Sequence, residues 1–236
     1  MEPNKILDQY TLNIFTDASM TKIIQNDTEI SIGSAGAQFY IQDKLIESQY
    51  KILYGATVNK SELTAILMGV LTAVRMASQV KHINLFSDSR ISVEGLRTWV
   101  FNWIRNVYNS EMMSSSGTPV ANQQILLQII DTICRNNLRL DIYHVRGHLD
   151  NNTYKSKTQF ERDFFKHNKI PRQPLDNRII EFLINGNSSV DNYTRSKFTT
   201  TTLNMVDEID PFVVDKIYYI ENFDRVKYSQ LIGLRR

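Results

Sequence analysis

A chain of 236 residues is long enough for one core domain with additions and too long for a mini-protein. Its 42% hydrophobic and 22% charged residues exclude wholesale disorder, and 27 Lys+Arg against 25 Asp+Glu leave a formal +2, so an anionic partner must be met by a local basic surface. The single Cys134 excludes an internal disulfide or a cysteine-rich zinc module, and no window approaches the ~18 apolar residues that cross a bilayer, so the expectation is a soluble, cytoplasmic protein with no membrane partner.

In chain order, Tyr10 to Phe15 (YTLNIF) is rich in β-formers and is predicted as a strand stopping at the polar run Thr16 to Ser19, with Asp17 at its C-terminal end. Alternating runs at Gly36 to Ile41 and Leu45 to Tyr54 complete a three-stranded antiparallel meander. Leu63, Ile66, Leu67, Val70, Leu71 and Val74 recur at helical spacing, with Ser61 and Glu62 at the N-terminal end of that helix. His82 to Phe86 (HINLF) is a short buried strand that ends at Ser87-Asp88-Ser89. A second helix is predicted over Ile91 to Val107, with Trp99, Phe101 and Trp103, and it is broken by the SSSG-TP loop. A third helix runs from about Val120 to Arg135, and a fifth strand over Leu138 to Val145 stops at Arg146-Gly147-His148.

Beyond His148 the pattern weakens. Leu149 to Asn187 is polar, contains Pro171 and Pro174, and reads as an insert. Ser188 to Lys197 regains helical character with Ser188 or Ser189 as N-cap, and the TTTT run at Thr199 to Thr202 reads as linker. The tail from Leu203 holds one strand-like run, Phe212 to Ile220. The layout is therefore an N-terminal tail (1–9), a catalytic domain (10–198, insert 149–187) and a C-terminal extension (199–236).

The order β-β-β-α-β-α-α-β-α places acids at the end of strand one (Asp17), the start of helix one (Glu62), the end of strand four (Asp88) and the last helix (Asp191). A mixed sheet with strands one and four side by side brings Asp17 and Asp88 to one edge with Glu62 facing them. Carboxylates packed together repel and need divalent cations, and an all-oxygen set favours Mg²⁺, with Mn²⁺ as substitute. Two such ions ~3.5–4 Å apart serve phosphodiester hydrolysis. Each acid also has an ordinary reading: Asp17 as a turn residue, Glu62 as a first-turn acid, Asp88 as a helix cap. Asp150, Asp163 and Asp176 compete with Asp191 for the fourth place. His144 and His148 are four apart, but their strand-and-turn setting argues against zinc and makes His144 structural. Trp99 and Trp103 read as a hydrophobic stripe before they read as a stacking platform.

From Tyr10 to Phe198 the pieces IFTDAS, ATVNKSELTAI, LFSDSR, RTWVFNWIRN with GTPVANQQIL, YHVRGH and SSVDNYTR stand in an order that resembles type 1 ribonuclease H. The resemblance implies an α/β, ribonuclease H-like fold with a five-stranded mixed sheet flanked by helices. It also implies hydrolysis of the RNA strand of RNA·DNA hybrids by two metal ions, leaving 3′-hydroxyl and 5′-phosphate ends. By position, Asp17 resembles the carboxylate bridging both ions, Glu62 and Asp88 ligands of one, and Asp191 a ligand of the other. His148 resembles the loop histidine that assists product departure. Asn59 and Asn122 fall where the family contacts the hybrid's backbone and 2′-hydroxyls, and Thr57 falls near a DNA-phosphate pocket. The chain departs from the pattern at Asp17-Ala18-Ser19, where the family has glycine second, and in the long stretch between His148 and Asp191. Between Trp99 and Pro119 the only basic residue is Arg105, so the insert cations Lys155, Lys157, Arg162, Lys166, Lys169 and Arg172 are candidates for gripping phosphate. The competing functions are a DNA-directed nuclease of the same fold (resolvase- or integrase-like) and a non-catalytic nucleic-acid-binding module. The C-terminal extension is a candidate surface for a protein partner.

Overall fold

The computed structural model describes residues 3–25, 27–147, 157–201 and 223–232. His148, Asp150, Lys155 and the strand-like run at 212–220 lie outside the described residues. Strands β1 (Thr11–Gln25), β2 (Thr28–Ile41) and β3 (Lys44–Tyr54) form the expected antiparallel meander. With β4 (His82–Ser87) and β7 (Asp141–His144) they build a five-stranded mixed sheet in the order β3-β2-β1-β4-β7. The first strand does not stop at Asp17. Its parallel pairing with β4 ends at Thr16↔Ser87, but its antiparallel pairing with β2 continues to Gln25↔Thr28. The polar run marks the end of one ladder, because the other partner still satisfies the backbone there.

Helix α1 (Val58–Met76) is capped by Thr57, whose hydroxyl accepts from the Lys60 amide at 3.2 Å. After β4 the chain winds as α2 (Arg90–Glu94), one π-type turn (Gly95–Trp99) and α3 (Val100–Trp103). The expected helix to Val107 is cut short by a hairpin, β5 (Val107–Tyr108) and β6 (Glu111–Met112), turning on Asn109 and Ser110 at φ 48° and 65°. Next come α4 (Gln123–Arg135), α5 (Lys157–Asn168), α6 (Asn177–Thr201) and α7 (Arg225–Leu231).

The last predicted helix starts earlier than Ser188 and includes Thr199 to Thr201. Its cap is Asp176, whose Oδ1 accepts from the Arg178 amide at 2.8 Å and whose carbonyl accepts from Ile179 at 3.0 Å. The Asn185-Gly186-Asn187 run, which looks like a break, lies inside α6; a Cβ at Gly186 would collide with the Phe15 ring, so glycine lets the helix press onto the sheet.

Period-two alternation along β1 sorts the core. Leu12 and Ile14 face α1, α3, α4 and α7, whereas Phe15 joins Tyr40, Phe86, Tyr143, Phe164, Phe182 and Val190 under α5 and α6. Segments near each end of the described residues are built into the core. Ile6 is fully buried with its carbonyl accepting from Asn13 Nδ2 at 2.6 Å, and Tyr228, which is also fully buried, donates its hydroxyl to the Leu96 carbonyl at 3.0 Å. The insert supplies an edge cover: Asn168 accepts from the His144 amide at 2.7 Å and donates to the His144 carbonyl at 2.9 Å, so its amide stands where another strand would. Arg97 donates to the same side chain at 3.2 Å.

Candidate active site

The sheet brings three of the predicted acids together. Asp17, Glu62 and Asp88 each offer a carboxylate oxygen, and these atoms lie within 4.8 Å of one another. Asp17 comes one residue past the β1–β4 ladder, and Asp88 directly follows β4. Glu62 sits one turn into α1, three residues after the exposed Asn59. Asp88 is not the cap of α2; Ser89 is, its hydroxyl accepting from the Ser92 amide at 3.4 Å. Ala18 lies within regular β1, paired with Ala35 and without positive φ, so this turn-free geometry has no need of glycine.

The electrostatics are those of a crowded anionic pocket. Burial first, then the charge of Asp88 and that of Asp191, raise Asp17 from 3.8 to about 7, against the Thr194 hydroxyl and the Ala18 amide. Burial holds Glu62 well above the usual carboxylate range, with Asp17 and Asp88 adding to the effect. Among the described residues Glu62 Oε2 is buried without a hydrogen-bond partner. An orphaned oxygen among three clustered carboxylates fits a hard divalent cation.

Asp191 lies in the middle of α6, not in its first turn, and outside the 4.8 Å cluster. Its carboxylate pairs with Arg195 at 2.7 Å, and its charge still acts on Asp17. Of its competitors, Asp176 caps α6 and Asp163 stands 4.0 Å from Arg162, on helix α5. Thr57 and Asn59 are exposed at the start of α1. Asn122 precedes α4 in the left-handed region at φ 58°, with its carbonyl accepting from Ile125 and Leu126.

Three neighbours of the acids were not singled out for this in the sequence. Thr194 Oγ1, fully buried, lies 2.8 Å from Asp17 Oδ2 and 2.9 Å from the Asp191 carbonyl; its position three residues after Asp191 is the signal. Gly147 abuts Asp88, so closely that a Cβ would collide with Oδ2. His144 Nε2 stands 3.2 Å from the Asp88 carbonyl, and burial lowers its pKa to about 4, so the neutral ring donates there. The insert cations are mostly matched locally: Lys157 with Glu181 at 2.7 Å, Lys169 with Glu94 at 3.0 Å, and Arg172 with Glu161 at 3.3 Å. No helix of the described residues is long and apolar enough to cross a membrane.

A model of the RNase H family matches residues 9–158, a span that holds Asp17, Glu62 and Asp88 and ends before Asp191. A ribonuclease H of Haemophilus influenzae (strain 86-028NP) is 29% identical over 140 residues, covering 59% of this chain and 80% of its own length. A ribonuclease HI of Pasteurella multocida is 28% identical over 145 residues, 61% of this chain and 84% of its own. Among solved structures, the PFV RNase H domain in solution superposes with TM-score 0.48 at 16% identity, covering 67% of this chain and 92% of that one. LC11-RNase H1 in complex with RNA/DNA hybrid superposes with TM-score 0.41 at 11% identity, covering 57% and 85%.

Proposed function

Because the chain belongs to the type 1 ribonuclease H family, which depends on divalent metal, we propose that it cuts the RNA strand of RNA·DNA hybrids at the Asp17–Glu62–Asp88 cluster. The observation that carries this reading is the meeting of three acids, two of them buried, at the end of the β1–β4 ladder. Asp17, Glu62 and Asp88 would hold one ion, and Asp17 together with Asp191 on α6, whose charge acts on Asp17, would hold a second. Two Mg²⁺ ions, or Mn²⁺ in their place, would neutralise these carboxylates, activate a water and stabilise the leaving 3′ oxygen, giving 3′-hydroxyl and 5′-phosphate ends.

The chain's own groups hold the acids for that task. Thr194 donates to the Asp17 carboxylate, His144 donates to the Asp88 carbonyl, and Gly147, lacking a Cβ, leaves room for the Asp88 carboxylate. Asn59 and Asn122 read the 2′-hydroxyl face, and the N-terminus of α1 at Thr57 receives a DNA phosphate, since helix N-termini offer free amides to anions. His148 is assigned to product departure. Residues 10–198 form the catalytic domain; α7 adds to its core, so a protein partner of the C-terminal extension has to use side chains other than Tyr228, Leu231 and Ile232.

A gel assay with labelled hybrid, duplex RNA and duplex DNA, each with and without Mg²⁺, tests this. Cleavage confined to the RNA of the hybrid and dependent on the ion is expected, and lost in Asp17→Asn. Equal cutting of duplex DNA, or equal Mg²⁺-dependent cleavage by the variant, would overturn it.

A further inference from the structure

Divalent ions differ in how strictly they are bound. Mg²⁺ demands a near-octahedral set of oxygens at ~2.0–2.1 Å, whereas Ca²⁺ accepts about 6–8 ligands at ~2.3–2.6 Å in flexible arrangements, so the stiffness of a carboxylate site helps to decide between them. In this chain stiffness is supplied from α6. Two glycines let that helix press onto the sheet on either side of Asp191. A Cβ at Gly186 would collide with the Phe15 ring, and a Cβ at Gly36 would collide with the Thr194 methyl and meet Tyr193 Cδ1 at 3.5 Å. Asp17 is the strand partner of Gly36 and follows Phe15 by two residues on the same face, so both seats adjoin it.

Thr194 is fully buried, and both branches of its side chain are engaged. Its methyl takes the place that a Cβ at Gly36 would fill. A β-branched side chain is stiff at χ1 in a helix, so seating the methyl also aims the hydroxyl. Oγ1 then stands 2.8 Å from Asp17 Oδ2 and 2.9 Å from the Asp191 carbonyl. Its single proton lies between these two acceptors in a three-centre arrangement, which ties one acid's carboxylate to the helix backbone that carries the other acid.

We propose that Thr194 is a positioning residue that sets ion selectivity: seated on Gly36, it holds Asp17 at a fixed distance from α6 and so favours Mg²⁺ over the larger Ca²⁺. The inference rests on the reading of Asp17, Glu62, Asp88 and Asp191 as ion ligands. Asp17 is gripped from two sides, by the Ala18 amide within the strand and by Thr194 from the helix. Without the hydroxyl, the carboxylate is free to turn and suit a larger ion, and the stricter ion loses more by it. Valine at this position keeps the seat over Gly36 and drops the hydroxyl, whereas serine keeps the hydroxyl and drops the methyl that aims it. The two substitutions therefore separate filling the space from holding the acid.

The experiment is thermal melting of the full chain, stripped with EDTA and titrated with Mg²⁺ or with Ca²⁺, for wild type, Thr194→Val and Thr194→Ser, together with kcat and KM on a labelled hybrid in Mg²⁺. Thr194→Val is expected to raise the Mg²⁺ midpoint about ten-fold and the Ca²⁺ midpoint less than about three-fold, and to lower kcat while KM for the hybrid stays within about two-fold. Thr194→Ser should bring the Mg²⁺ midpoint back to within about three-fold of wild type. A valine variant that melts lower without ion but keeps both midpoints would show a side chain that only fills space. Equal rises for the two ions would show that it holds Asp17 without selecting. Either result overturns the proposal. A wild type stabilised by neither ion overturns the ion reading of the acids, and the proposal with it. A wild type that takes up Mg²⁺ and leaves hybrids uncut overturns the ribonuclease reading alone, since the titrations need no substrate.

Discussion

Replacing Asp17 by asparagine removes a charge that the metal-free fold tolerates poorly. The side chain is 4% exposed and ionises at about 7 instead of 3.8, because burial and the neighbouring Asp88 both disfavour the anion. At ~1.36 kcal/mol per pH unit that gap is worth about 4 kcal/mol, set against a total stability on the order of 5–15 kcal/mol. The sign follows from proton counting. Between about pH 4 and about pH 7 the folded chain keeps a proton that the unfolded chain has released, so this group's contribution is full below 3.8 and is lost as pH rises through 7. Asparagine keeps the shape and still accepts the Thr194 hydroxyl. In chelator Asp17→Asn should match wild type near pH 4 and exceed it by roughly 2–4 kcal/mol at pH 8, a rise in melting temperature of roughly 5–15 °C.

The wild-type pH curve alone is a poor witness, because His144 works in the opposite direction. Its pKa, lowered from 6.5 to about 4, makes the folded chain shed a proton that the unfolded chain keeps, so stability is lost as pH falls through that window. The difference between wild type and variant cancels this term. Urea unfolding followed by circular dichroism, in EDTA at pH 4 to 8, measures it. Saturating Mg²⁺ should close the gap by binding only the wild-type site, an effect of ~2.7 kcal/mol at a hundred times Kd. Wild-type and variant curves that run parallel from pH 4 to 8 in chelator would refute the argument that Asp17 is destabilised by its own site.

Asn168→Ala should cost about 3–5 kcal/mol in urea unfolding, since it strips partners from the buried His144 amide and carbonyl and from Arg97 at once; a cost under about 1 kcal/mol would show that the edge cover is dispensable. Ending the chain at residue 201 removes Tyr228, Leu231 and Ile232 from the core, and at ~2 kcal/mol per buried side chain the loss of ~6 kcal/mol should leave no cooperative thermal transition near that of wild type. His144→Phe keeps a ring in place but drops the bond to the Asp88 carbonyl, so activity titrated against Mg²⁺ should need about ten-fold more ion. An unchanged Mg²⁺ midpoint would mean that the His144 bond does not position Asp88.

The acids were legible because strand ends and helix starts are local features. Asp88 follows a run of β-formers and Glu62 opens an amphipathic helix, and a mixed sheet can bring those ends together in few ways. The error at Asp17 has the same origin: a polar run looks like a strand end when the partner that extends the ladder, β2, is out of local view. Helix α6 misled for the opposite reason. Its Asn-Gly-Asn-Ser-Ser interior carries every local mark of a break, yet Gly186 is there because Phe15, remote in sequence, presses against it, and the true cap at Asp176 hides among prolines and polar residues.

What stayed unread depends on contacts between distant segments. Nothing near Asn168 announces that it pairs with a strand edge, and nothing near Tyr228 announces a core position. Thr194 lies between: standing three residues after an acid already in hand, it was within reach of helical periodicity. The same periodicity takes Tyr193 to Lys197, and the register takes Asp17 through Gly36 to Tyr50, so the contact of Tyr50 with Tyr193 and Lys197 needs both periods at once and exists only where helix and sheet cross. A substitution at Gly36 is therefore the sharpest probe of that crossing. An added methyl would lift α6 at Thr194 and Tyr193 together, so Gly36→Ala should loosen the support of Asp17, lowering kcat on a labelled hybrid and the melting temperature in the same variant. A variant that melts lower but keeps the wild-type kcat would show that Asp17 is positioned without the help of α6.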